Sequence, residues 1–238
     1  MTKGFSVRFD IVRQIDYNKG NHKRQGFIHI MEFTDWHRLF GMTLTDFFTD
    51  TAWTVELEKD LSLKKQLLDV VIIEKKEGNP LPEDQIPDGL ENMSRHNLLS
   101  YKSFRESLDD WTADEFIGHF VNYRKQISPS LKKLLPKEDF RLYAVCTRYP
   151  AKLAKVFPVK PVKKGVYDLP WASRNIRIIV TGRIEKAERN AVWLMFSAVK
   201  DKVGYGVARY RGRMDEMSTT INDLLARYHA EGVIPIPH

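Results

Sequence analysis

This chain has one cysteine in 238 residues, which excludes an internal disulfide framework and a cysteine-rich zinc site. Cys146 lies in an apolar strand pattern, Arg141 to Thr147, and reads as an inert core thiol rather than a nucleophile. No glycine-rich phosphate loop follows a predicted strand, and no His/Cys metal spacing occurs, so nucleotide-driven and zinc chemistry have no sequence support. No apolar run reaches the ~18 residues that a membrane span requires, and the chain does not open on a signal-peptide pattern. The expectation is a protein of the reducing cytoplasm with no membrane partner. Repeats, heptads and low-complexity tracts are also missing. What the chain does have is a surplus of cations: 38 Lys and Arg against 31 Asp and Glu, a net charge of +7. Such a balance suits a polyanion, because lysine and arginine displace counterions from phosphates.

The first 34 residues are basic and mixed in character. Residues 35–50 place Trp36, Leu39, Phe40, Leu44, Phe47 and Phe48 at spacings of three and four, one face of a helix. From Trp53 to Glu58 the pattern alternates at period two, with Glu56 and Glu58 opposite Val55 and Leu57. The run 67–73, Leu-Leu-Asp-Val-Val-Ile-Ile, lacks alternation and reads as a strand covered on both sides. A long acidic and proline-containing connection over 75–94 precedes another apolar strand at 96–102. Thr112 with Glu115 suggests a capping box, and Trp111 with Phe116 a hydrophobic staple, for a helix that continues through Tyr123 to Gln126. Beyond it the pattern predicts a strand at 140–147, a short helix at 150–156, strands at 166–171 and 175–182, and helices near 187–199 and 218–231.

Two side chains stand out against these strands. Asp69 sits between Leu68 and Val70, where an isolated carboxylate costs roughly several kcal/mol unless something compensates it. Lys102 ends the strand that follows, and on that strand His96, Leu98, Ser100 and Lys102 share one face. If the two strands align the face of Asp69 and Val71 with that of Ser100, acid and lysine meet. A carboxylate holding a divalent ion beside a lysine is what phosphodiester hydrolysis requires, since the ion acidifies water and the ammonium offsets phosphate charge. Glu74-Lys75-Lys76 repeats the acid-x-lysine spacing. Asp69 and Glu74 are five apart, however, on opposite strand faces and about 16 Å from one another along an extended chain. The bland rival is a structural ion pair between Asp69 and Lys102.

The order helix–strand–strand–strand–helix–strand, with "LLDVVII" and then "HNLLSYKS", resembles the αβββαβ core of PD-(D/E)XK nucleases. Within that superfamily it looks like the recombination-promoting nuclease and transposase-like branch. The resemblance covers residues 35–147. It implies an α/β (α+β) fold with a restriction-endonuclease-like core, a mixed central sheet flanked by helices, and a C-terminal α/β extension. The corresponding division is a basic segment at 1–34, a core at 35–160 and an extension at 161–238. It further implies a metal-dependent DNA endonuclease of recombination, mobile elements or defence, using Mg2+ or Mn2+, with a homodimer or protein partner open.

Carried over residue by residue, the pattern puts a metal-binding Asp at Asp69 and the catalytic lysine at Lys102. The acid expected two positions before the lysine falls on Ser100, a departure, since a hydroxyl is a weak and uncharged ligand for Mg2+. Glu56 is the first choice for a substitute ligand, with Glu58, Glu74 and Glu106 behind it. Gln126 is placed near the scissile phosphate, as a Gln is in some relatives. His96, Lys132, Lys133, Arg209, Arg211 and Arg213 are the candidate nucleic-acid contacts, and the 152–164 lysines a further basic cluster; a solvated face is the ordinary reading of such charges. Ser100 also motivates the alternative, a catalytically degenerate nuclease fold that binds nucleic acid or protein.

Overall fold

The computed structural model describes residues 24–57, 70–214 and 217–230, so Asp69 and Glu58 lie outside the described residues. The chain divides into two units, Met1–Thr34 and Asp35–His238; the sheet and the sites described below belong to the second. Helix α1 (Arg24–Phe48) turns Trp36, Leu39, Phe40, Leu44 and Phe48 into the core, as their spacing predicts. Thr43, Thr45 and Thr49 return their hydroxyls to carbonyls four residues back, which lets polar side chains sit in or beside the helix without unmet donors.

Strands β1 (Trp53–Glu56), β2 (Val70–Lys75) and β3 (His96–Lys102) form an antiparallel meander. Helix α2 (Asp110–Ile127) then crosses to β4 (Phe140–Cys146), which runs parallel to β3. A short α3 (Leu153–Val156) leads into β5 (Lys160–Lys163), β6 (Val166–Trp171) and β7 (Arg174–Val180). Strand β7 returns beside β4, again parallel, giving a seven-stranded mixed sheet in the order β1-β2-β3-β4-β7-β6-β5. Helices α4 (Ala191–Leu194), α5 (Lys200–Arg209) and α6 (Met217–Ala230) complete the fold. The helix–βββ–helix–β order expected from the sequence is present, and position 160 falls at the start of β5, inside one continuous sheet.

All seven residues of β3 are buried, as befits a central strand with a helical layer on each side. One sheet face, carrying Val71, Ile73, Leu99, Tyr101 and Val145, packs against α1, α4, α5 and α6. The other, carrying Val70, Ile72, Leu98, Ala144 and Cys146, packs against α2 and α3. Tyr101 stacks on Phe40 at 4.7 Å and meets Phe196 edge-on, so aromatic contacts tie β3 to α1.

Three expectations are corrected. The α2 cap lies three residues earlier than the sequence suggested: Asp109 is the N-cap, its carboxylate accepts from the Thr112 amide at 2.9 Å, and the Asp109 amide donates to the Thr112 hydroxyl at 2.8 Å. Trp111 is then no staple but 73% exposed. A two-glycine segment, Lys200–Arg209, is a helix the sequence did not announce. Its Gly206 lies so close to α4 that a Cβ there would sit 2.6 Å from the Met195 amide nitrogen. Close packing, not intrinsic propensity, makes that helix. Finally, Val70 pairs with Ser100 and Val71 with Leu99, so Val71 and Ile73 lie on the face opposite Ser100 and Lys102. The face alignment on which the pairing of Asp69 with Lys102 rested is not the register of the described strands.

Candidate functional site

The three parallel strands β3, β4 and β7 end side by side at Lys102, Cys146 and Val180, and open α/β sheets take ligands beyond such carboxyl ends. Backbone hydrogen bonds stitch the exits together. The Thr147 amide donates to the Lys102 carbonyl at 3.2 Å, and the Gly182 amide to the Thr147 carbonyl at 3.3 Å.

Lys102 is the last residue of β3 and is only 7% exposed. None of the described residues gives its ammonium a hydrogen bond or an ion pair. The nitrogen is nonetheless absent from the buried polar atoms that lack a partner, so the buried stem carries its charged tip to solvent. A charge held this way, with its stem fixed by packing and no described acid committed to it, is ready for an anion arriving from outside. Ser100 lies two residues earlier on the same face and is buried as well.

Around the lysine, Cys146 pairs with it across β3 and β4. Burial pushes the Cys146 thiol up to about 12, against the pull of the Lys102 charge, which leaves the cysteine inert. Glu106, in the turn after β3, acts on the same thiol in the opposite sense and accepts the Ser103 amide at 3.0 Å. His37 of α1 donates from Nε2 to the Tyr101 carbonyl at 2.9 Å, with Glu106 Oε2 4.0 Å away. Thr147 contributes a buried hydroxyl with no hydrogen-bond partner. A buried polar atom without a partner is uncommon and here adds a second unmet group to the edge that holds Lys102.

The chain matches no family model, no curated protein and no solved structure.

The remaining sequence candidates fall elsewhere. Glu56 pairs with Ile72, which pairs with Leu98, so it lies two strands and four residues of rise from Lys102, about 16 Å by strand geometry. Gln126 is exposed near the end of α2. Tyr123, three residues before it, packs on Phe140 and His96, the starting residues of β4 and β3. Gln126 therefore belongs to the amino edge of the sheet, about 20 Å from Lys102. Lys132 and Lys133 are exposed in the turn between α2 and β4 on that same edge.

His96 does not face solvent. Its ring stacks on Phe140 at 4.9 Å, its Nδ1 is 3.2 Å from Glu74 Oε1, and its Nε2 is buried without a partner. Burial lowers its pKa more than the Glu74 charge raises it, and because the Glu74 carboxylate accepts, Nδ1 is the donor in that contact. Arg209 is paired with Glu188 at 3.0 Å. Arg213 is held by its backbone on Asp46 at 2.7 Å and by its guanidinium on the Thr49 carbonyl at 2.6 Å. Arg211, between them, is exposed.

Sequence reasoning set Glu74 aside, and the structure makes it the centre of a cluster. It accepts a very short hydrogen bond from the Tyr123 hydroxyl, a second from Lys76 at 3.0 Å and a third from His96. Burial alone would raise the Glu74 carboxyl; the Tyr123 and Lys76 bonds, with the charges of Lys76 and His96, outweigh it and bring it down to about 2. The signal was legible in principle, because Phe116, Phe120 and Tyr123 share a helix face and that face must meet the strand starts.

Proposed function

We propose that this protein is a nuclease-like, DNA-acting phosphodiesterase in which the Lys102 ammonium meets a backbone phosphate. The observation that carries this reading is the lysine itself: buried along its stem, free of a committed partner among the described residues, and set at the carboxyl edge of a parallel strand group. The element order, the mixed sheet with helices on both faces, and the net charge of +7 support it. In that role Lys102 neutralises charge that builds on the phosphate, while the dry walls of β3 and β4 strengthen the interaction.

A divalent ion is the natural second component, and the described residues do not by themselves fit it. No three His, Cys, Asp or Glu side chains converge among them, and a hydroxyl stands at Ser100 where an acid is expected. No step is therefore routed through a metal. Ser100 favours the second reading, a nuclease fold that binds DNA without cutting it.

Plasmid cleavage in Mg2+ or Mn2+ separates the two readings, with Lys102→Ala and Asp69→Ala beside the native protein. Cleavage that both substitutions abolish supports the enzyme. Cleavage that persists unchanged in both removes the assigned site. Activity seen only in Ser100→Glu assigns the native chain to binding.

A further inference from the structure

Two strands along from Lys102 on the same edge lies an open groove of about 810 Å3, of whose lining the sequence singled out Lys164 alone, as the end of the 152–164 basic cluster. Lys164 from the β5–β6 turn, Arg183 and Lys186 from beyond β7, and Lys202 from the first turn of α5 supply its cations. Against them stand two acids in ion pairs, Glu185 with Lys164 at 3.1 Å and Asp201 with Lys186. Both pairs are exposed and worth little. Two positive charges remain over. Arg183 has no carboxylate: its guanidinium lies 3.9 Å above the Tyr149 ring and donates to the Tyr167 hydroxyl at 3.1 Å. Tyr149 and Tyr167 in turn pack with centroids 4.9 Å apart. Lys202 is committed to the Ile184 carbonyl, and burial first, then the neighbouring Lys164 and Lys186, push its pKa down. Helix α5 begins here with no side-chain cap on its N-terminus.

We infer that this groove holds the phosphate backbone of a nucleic acid, as a tracking surface separate from the Lys102 position. The inference rests on the reading of the protein as DNA-acting. Four crowded cations against two acids call for a polyanion. An arginine held over one tyrosine ring, with a second tyrosine beside it, is the mixture of charge and aromatic surface that nucleic-acid strands use. Position agrees, because β3, β4 and β7 are adjacent and the groove starts about 10 Å from the exit of Lys102, the rise of about three nucleotides in a duplex. A strand seated in the groove is thereby led toward the lysine.

The test measures fluorescence anisotropy of a labelled 20-nucleotide oligo-dT and of a duplex of equal length across a salt series. It compares the native protein, Lys164→Gln/Arg183→Gln in the groove, and Lys125→Gln/Lys137→Gln as an equal charge change on the opposite edge. The groove variant is expected to bind at least about tenfold more weakly at low salt, with a log–log salt slope shallower by about 1.5 and an unchanged melting temperature. The opposite-edge variant should keep most of the native affinity and slope. Native binding that the groove variant shares in full overturns the groove alone. Equal losses in the two variants overturn it too, as does equal binding of polyglutamate in place of the oligonucleotide. No binding by the native protein sinks the proposed function itself.

Discussion

The two edges of the sheet treat charge in opposite ways. At the amino edge, Glu74 is surrounded by Tyr123, Lys76 and His96, and its carboxylate is compensated within the fold. At the carboxyl edge, Lys102 is the more buried of the two and has no described partner, and the groove beside it holds more cations than acids. Burial of Glu74 costs desolvation that its partners recover within the folded chain, whereas the Lys102 tip reaches solvent and has no such partner; structure that stabilises nothing by itself is where function is sought.

The sharpest way to break this contrast is Lys102→Met. If Lys102 meets phosphate, cleavage falls by about 10²–10³-fold, the cost of losing one charge-stabilising group. The melting temperature should hold or rise, since no described partner is orphaned and an apolar side chain fills the same channel. Nuclease assays and a thermal melt read both halves. A variant that unfolds would show that Lys102 is structural and that the two edges are alike.

Next in size is Glu74→Ala at the other edge. It removes the acceptor of the Tyr123 hydroxyl and His96 Nδ1 bonds in a half-buried cluster, and should lower stability by about 2–3 kcal/mol by urea titration. Oligonucleotide affinity per folded molecule should not change. An affinity loss would move function toward the amino edge.

A smaller effect separates the charge of Glu74 from its packing. Its carboxyl is held at about 2 in the fold, below an ordinary glutamate at 4.5. Its stabilisation is thus fully present above pH 4.5 and is lost as pH falls toward about 2. Allowing for the solvent that reaches the carboxylate, the native protein should lose roughly 1–2 kcal/mol more than Glu74→Gln over that interval. Parallel stability curves for the two proteins would show that the Tyr123 and Lys76 bonds do not depend on ionisation.

How far the sequence carries the reader differs along the chain. The α1 face from Trp36 to Phe48 and the strand His96–Lys102 were legible, because unbroken burial imposes an unbroken apolar pattern. The face shared by Ser100 and Lys102 followed from strand parity alone. Whether Val71 shared it did not, because register between strands is set by pairing that one strand cannot display. Helix α5 stayed hidden because it carries two glycines, of which Gly206 serves close contact with the end of α4. The groove stayed hidden because Lys164, Arg183 and Lys202 come from three segments that only the sheet order gathers.

The smallest test joins the two edges through α2, which starts near one and ends near the other. Asp109→Ala removes the N-cap carboxylate and should cost about 1 kcal/mol in thermal or urea unfolding. Trp111→Ala, although it deletes an indole, should change stability by no more than about 0.5 kcal/mol, since that side chain is 73% exposed. The sequence alone ranks the two the other way, with Trp111 as a buried staple. The reversed order, a costly Trp111 and a silent Asp109, would restore the later helix start. It would also turn α2 about its axis, and with it the approach of Tyr123 to Glu74 on which the compensated edge depends.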